Sequence, residues 1–206
     1  MARLHPNLNR TAYDTLGAQG ELRVLEILEL GLPDAYDIFH GVDWSTMYQG
    51  DQRFGELDVV VLSPSGHLLL MEVKAGDLEL REGRLYKAYE NGRRVKDVAA
   101  QVGSQHSAML SRLPRAGFQS VHVGHLLVIP DYKIQSEISA FPPERVVDAT
   151  EINFLCTRVV DSFTRPPIDG SERDRLVDFL NNEMQLEPDV SANVGVIAHR
   201  SRVLGS

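Results

Sequence analysis

The sequence predicts an α/β fold, a mixed central β-sheet flanked by helices on both faces. Two dense apolar segments, Leu57 to Leu62 and Leu68 to Lys74, are separated only by Ser63-Pro64-Ser65-Gly66-His67, which is hairpin spacing. Their residues are apolar at successive positions, the pattern of central strands covered from either side. Segments with three- and four-residue apolar spacing precede and follow them, so helices bracket the strands.

Residues 11–31 predict a helix: Leu16, Val24, Leu25 and Leu28 fall on one stripe, and Gly31 with Pro33 supplies the stop. Tyr36 to Val42 predicts a short strand, followed by a polar, mobile stretch from Asp43 to Phe54. After the central pair, Leu78 to Arg81 and Arg84 to Ala88 predict a second hairpin through Glu82-Gly83, with Asn91-Gly92 as a further turn. Val95 to Leu113 predicts the second long helix and His122 to Ile129 a strand. Val146-Val147 predicts a short strand, and Glu151 to Phe163 and Ser171 to Asn182 the closing helices. The domain is therefore expected over residues 1–187, with a core at about 11–130 and closing helices at 150–182. Periodicity fails after Pro188, and 188–206 reads as a tail or a linker to another domain.

Composition narrows the class. At 206 residues, 43% hydrophobic and 24% charged, the chain suits one sizeable globular domain. Apolar runs such as Leu68 to Met71 are far too short to span a bilayer, and Met1 to Arg10 lack a signal-type apolar stretch, so no membrane partner is expected and the location is expected to be cytoplasmic. One cysteine, Cys156, excludes an intrachain disulfide and a cysteine-based zinc site. The net charge of −8 argues against a non-specific nucleic-acid binder. The charge is uneven, however. Arg81, Arg84, Lys87, Arg93, Arg94 and Lys96 share their segment with only two acids, Glu82 and Glu90. That basic lip is either a solvated hairpin or a contact for phosphates beside an acidic cleft.

The chemistry concentrates in Gly55-Glu56-Leu57-Asp58 and Glu72-Val73-Lys74. Glu72 and Lys74 interrupt the most apolar strand, where a charge is costly unless paired or bound to metal. If Leu62 lies opposite Leu68, Asp58 falls opposite Glu72, and Lys74 projects on the same face. Facing carboxylates repel and need a cation between them. Hard oxygen ligands without cysteine or paired histidine call for Mg²⁺ or Mn²⁺, and such an ion beside a lysine suits phosphodiester hydrolysis. The other possibility is a structural ion pair holding two strands together. Glu21 lies on the apolar stripe of the first helix, aimed at the sheet, and Gly17 and Gly20 before it allow close approach; it would complete a three-carboxylate site. Gln101 and Gln105 share a face of the second helix, where their amides either meet phosphate or metal-bound water, or face solvent.

Gly20-Glu21, Gly55-Glu56-Leu57-Asp58-Val59-Val60-Val61, Leu70-Met71-Glu72-Val73-Lys74 and Gln101 together resemble the nuclease-related domain (NERD) family, a branch of the PD-(D/E)XK nuclease superfamily. The resemblance covers roughly Thr11 to Ile129. It departs at Asp97-Val98-Ala99-Ala100-Gln101, where many members look like Asn-Pro-x-x-Gln. It implies a restriction-endonuclease-like core and a Mg²⁺- or Mn²⁺-dependent deoxyribonuclease. Asp58, Glu72 and the Val73 carbonyl would bind metal, Glu21 would support the metal or its water, Lys74 would position the attacking water, and Gln101 would help hold the site. Arg84, Lys87, Arg93, Arg94, Lys96 and Gln105 are the candidate nucleic-acid contacts. Members of the family are often fused to other domains, superfamily I helicases among them, so the expected partners are single- or double-stranded DNA and a fused or associated helicase. A nuclease-like module without turnover, acting in nucleic-acid or protein binding, is the alternative.

Other residues tempt less. His122 and His125 fall on opposite sides of a strand and cannot share an ion. His106 points away from Gln105, Trp44 and Tyr48 suit either base stacking or loop anchoring, and Cys156 suits a helix core.

Overall fold

The computed structural model describes residues 1–8, 15–48, 51–76, 78–88 and 95–183. The expected tail at 188–206, the Asn91-Gly92 turn, Arg93 and Arg94 lie outside the described residues.

The strands are β1 (Arg3–His5), β2 (Asp37–Tyr48), β3 (Asp51–Leu62), β4 (Leu68–Val73), β5 (Leu78–Arg81), β6 (Arg84–Ala88), β7 (Val95–Asp97), β8 (Val123–Val128) and β9 (Val146–Val147). The helices are α1 (Leu16–Gly31), α2 (Val98–Arg115), α3 (Leu155–Asp161) and α4 (Gly170–Asp178). The main sheet has the order β1-β2-β3-β4-β8-β9. It is mixed: β3 runs antiparallel to both β2 and β4, whereas β1 pairs with β2, β8 with β4 and β9 with β8 in parallel. A separate sheet, β5-β6-β7, stands beside it.

Both faces of the main sheet are covered. Val24, Leu25 and Leu28 of α1 and Leu155 and Val159 of α3 pack with Val59, Val61, Leu69 and Met71. Ala108, Met109 and Leu113 of α2 and Leu176 of α4 pack on the other face with Val60, Leu62, Leu68 and Leu70. All six residues of β4 are buried, as expected of a central strand. The result is a mixed α/β architecture of the restriction-endonuclease-like kind. Among the described residues, no helix is long and apolar enough to cross a membrane.

Three local expectations change, and one element was not expected. Of the stretch Asp43 to Phe54, expected as polar and mobile, the described residues Asp43 to Tyr48 and Asp51 to Phe54 are strand: β2 and β3 stay in one antiparallel register out to Tyr48 and Asp51. Aromatic and β-branched residues recur there at alternate positions, Trp44, Thr46 and Tyr48, which favours a pleated ribbon over a loop. Helix α1 begins at Leu16, where the Thr15 side chain accepts from the Ala18 N–H. Helix α2 begins at Val98, because Asp97 caps it by accepting from Ala99 and Ala100, so Val95 to Asp97 is released to pair with β6. The segment Arg3–His5, within the polar start of the chain, forms a parallel edge strand. The Glu82-Gly83 turn matches its expectation, with φ of 49° and 74° at the two residues.

Candidate active site

The β3–β4 ladder runs from Leu62–Leu68 to Val59–Met71, and Asp58 and Glu72 are the residues next beyond its last pair. Both carboxylates reach the same ammonium. Lys74 Nζ donates to Glu72 Oε1 and, at 3.2 Å, to the Val73 carbonyl; it lies 3.7 Å from Asp58 Oδ2. Asp58 Oδ2 also accepts the Val73 N–H at 2.7 Å, which ties β3 to the end of β4. Glu72 is 2% exposed and Lys74 9%, so the pair is sealed within the protein.

A third acid arrives from α1. A Cβ on Gly20 would stand 2.3 Å from the Ala75 side chain, so only glycine lets this turn of α1 approach the chain just beyond Lys74. Gly17 has no such need, since its nearest neighbour would be Lys87 Nζ at 3.8 Å. Glu21 follows Gly20 and titrates at about 7, raised by burial and then by the charges of Asp58 and Glu56, with Lys74 pulling the other way. Burial raises Asp58 and Glu72 as well, against the opposing charge of Lys74. Lys74 stays protonated: burial alone would lower its pKa, but the Glu72 and Asp58 charges outweigh it.

The fourth member is Gln105. It is 3% exposed, and its Nε2 donates to Glu72 Oε2 at 2.6 Å and to the Glu56 carbonyl at 3.0 Å. Gln105, expected as a nucleic-acid contact, is thus buried, with its amide spent on the acidic cluster. Its position on the stripe Val98, Val102, Gln105, Met109 and Leu113 was the available signal, since helical spacing puts it on the buried face. Gln101, expected to help hold the site, sits one turn earlier and half-buried; its Oε1 is sealed from solvent with no hydrogen-bond partner. The glutamine that meets Glu72 is Gln105.

Of the remaining candidate nucleic-acid contacts, the described ones, Arg84, Lys87 and Lys96, lie on the small sheet. Arg84 is exposed and paired with Asp97 at 2.6 Å. Lys87 donates to the Ala75 carbonyl at 2.6 Å, next to Lys74. Lys96 is exposed and close enough for its charge to pull down the pKa of Asp58. The side chains of Trp44 and Tyr48 lie outside the described residues. His106 is bound to the Val123 carbonyl at 2.9 Å, and Cys156 sits half-buried in α3 against Ile27. A cavity of about 590 Å³ lies at the other end of β4, lined by His67, His122, Arg165 and Glu172, and includes none of the acidic cluster.

Among the described residues, no three carboxylate, imidazole or thiol side chains form a ready-made metal cage. The donor chemistry nevertheless fits a hard divalent cation. Oxygens of Asp58, Glu72 and Val73 already converge on one positive centre, and the Glu21 carboxyl, raised in pKa by burial and then by the Asp58 charge, adds a further oxygen donor close to them.

A restriction-endonuclease-like fold with an acidic, lysine-bearing cluster where the β3–β4 ladder ends defines the class. The nuclease-related domain family matches residues 16–130, more than half of the chain, and the protein belongs to that family. No curated protein and no solved structure matches the chain.

Proposed function

We propose that the protein is a Mg²⁺- or Mn²⁺-dependent nuclease of the PD-(D/E)XK superfamily that hydrolyses DNA phosphodiester bonds. The observation that carries this reading is the convergence of Asp58, Glu72 and the Val73 carbonyl on one cationic position, with Glu21 beside them. Asp58, Glu72 and Val73 would hold the metal, and Glu21 would support it or its water. Bound there, a divalent ion supplies a polarised phosphoryl oxygen and a more acidic water.

The chain's own groups account for the rest. Lys74 orients the attacking water and offsets the charge that develops on the phosphoryl oxygens. Gln105 keeps the Glu72 carboxylate in one rotamer through Oε2. Lys96, whose charge acts on Asp58, would meet the phosphate backbone together with Arg84 and Lys87 of the same small sheet. A fused or associated helicase would deliver DNA to such a site.

One observation favours a second reading, a nuclease-like binding or interaction module: the Lys74 ammonium already neutralises Glu72 as a structural ion pair would. The two part on a single experiment. Circular and linear DNA are incubated with the wild type and Asp58→Ala, with and without Mn²⁺, and melting temperature is followed over the same Mn²⁺ series. The nuclease reading expects Mn²⁺-dependent cleavage and a Mn²⁺-dependent rise in Tm, both lost in Asp58→Ala. A wild type that neither cuts nor responds to Mn²⁺ is a binding module.

A further inference from the structure

Both oxygens of the Glu72 carboxylate are already in use. Oε1 takes the Lys74 ammonium and Oε2 takes the Gln105 amide, inside a pocket where Glu72 is 2% exposed. The same ammonium bonds the Val73 carbonyl at 3.2 Å and lies 3.7 Å from Asp58 Oδ2. These three residues are the ones assigned above as metal ligands. Two cations a few ångströms apart in a poorly hydrated pocket repel strongly. Gln105 is buried, held by two bonds and carries no charge, so it has no reason to yield. Lys74 ends a flexible four-carbon stem, and its ammonium is the group able to move.

We infer that the Lys74 ammonium and a divalent metal ion compete for one cage of oxygens, and that a substrate phosphodiester promotes metal uptake by drawing the ammonium out of it. This rests on the metal-dependent reading above and adds its regulation. Before substrate arrives, Lys74 serves as an internal counter-ion for Glu72 and Asp58. A phosphate in the site offers the ammonium an alternative anion. The carboxylates thus freed accept the metal, and the ammonium is left beside the phosphate, where hydrolysis needs it. Coupling of this kind is reciprocal: phosphate strengthens metal binding as much as metal strengthens phosphate binding. The metal loads together with substrate, and the protein alone holds it weakly.

The test is a Mn²⁺ titration followed by calorimetry and by Tm, so that it does not depend on turnover. Wild type, Lys74→Met and Lys74→Gln are compared, each with and without a short phosphorothioate DNA oligonucleotide. Without oligonucleotide, both variants are expected to bind Mn²⁺ about tenfold or more tightly than the wild type, within the usual range of site-to-site coupling. The oligonucleotide is expected to tighten Mn²⁺ binding markedly in the wild type and far less in the variants. Equal or weaker Mn²⁺ binding by the variants overturns the competition and leaves the metal-dependent reading standing. Absence of Mn²⁺ binding in every protein, with or without oligonucleotide, overturns both. If neither variant folds, the wild type decides, since Mn²⁺ affinity unchanged by oligonucleotide overturns the coupling.

Discussion

The side-chain amide of Gln105 fastens the Glu72 carboxylate to α2, at 2.6 Å, while holding the Glu56 carbonyl of β3 at 3.0 Å. One uncharged donor on a helix therefore braces a buried carboxylate on one strand and the backbone of the next. Gln105→Leu keeps the volume and removes the donor, leaving the carboxylate and the carbonyl unsatisfied on that side. The expected cost is about 1–3 kcal/mol, read from the urea midpoint. Gln105→Glu places a second carboxylate against Glu72 and is expected to cost more than Gln105→Leu at pH 8. That excess should shrink on acidification, when the introduced carboxyl is protonated and can donate. Combining Gln105→Leu with Glu72→Gln isolates the pair, because the two changes should be clearly non-additive. Strict additivity would show that Gln105 contributes packing alone.

That contact also marks where the chain was legible and where it was not. The juxtaposition of Asp58, Glu72 and Lys74 could be read because a five-residue link between two apolar strands leaves few registers, and a one-residue slip would turn every side chain to the other face. The approach of α1 could be read from Gly20, though Gly17 shared the pattern without sharing the constraint. Gln105 was harder, because two glutamines four apart fit a solvated face as well as a buried one, and only the packing of α2 decides. The strand nature of Asp43 to Tyr48 was hidden by polar residues, since a ribbon stabilised by cross-strand pairing need not be apolar. Arg3–His5 carried no signal at all. Its place in the sheet depends on Asp37, distant in sequence.

Asp37 supplies the second prediction. It is 1% exposed and accepts from Arg3 at 2.9 Å, His5 at 2.8 Å and Arg173 at 2.7 Å, joining β1, β2 and α4. Burial alone would raise its pKa, but the hydrogen bonds from His5 and Arg173 and the charges of Arg3 and Arg173 hold it below the usual carboxylate range. A carboxylate lowered in the folded state contributes stability above its unfolded pKa and loses it as the pH falls through the folded one. Asp37→Asn is expected to cost about 1–3 kcal/mol at pH 7, because it takes the negative charge out of the hydrogen bonds with Arg3 and Arg173, while the Ser63 and Ala35 carbonyls still hold Arg173. Denaturant unfolding at several pH values checks this: the gap between wild type and variant should narrow steadily below pH 4. A gap independent of pH would remove the charge from the explanation.

Gly20 and Gly17 form an internal control. Gly20→Ala brings a Cβ to 2.3 Å from the Ala75 Cβ, which is 2% exposed, and to 3.5 Å from Pro130. Either α1 or the end of β4 must shift, at an expected cost of about 1–3 kcal/mol that exceeds the helical preference for alanine. Gly17→Ala meets only Lys87 Nζ, at 3.8 Å, and is expected to be neutral or stabilising by up to about 1 kcal/mol. Melting temperatures should fall for the first and hold or rise for the second. Equal effects at both positions would contradict the close approach that carries Glu21 to the cluster.

Glu21 gives a pH dependence of opposite sign to that of Asp37. Its folded pKa is raised to about 7 from 4.5, by burial first and then by Asp58 and Glu56. Between those values the folded protein binds more protons than the unfolded chain, so stability falls as the pH rises through the interval and levels off above it. A shift of this size corresponds to a loss of about 3 kcal/mol at full strength, and solvent screening at a half-buried side chain reduces it to about 1–2 kcal/mol. Glu21→Gln removes the titrating group while keeping the shape. In metal-free buffer, with stability taken from urea unfolding, the variant should match the wild type near pH 4.5 and exceed it by that margin at pH 8. The difference should develop between pH 5 and 7. Repeating the substitution in an Asp58→Asn background removes the part that Asp58 supplies by repulsion, and the part that survives measures burial. A variant that tracks the wild type at every pH would mean that the Glu21 carboxyl does not face the cluster, and the third acid would drop out of the site.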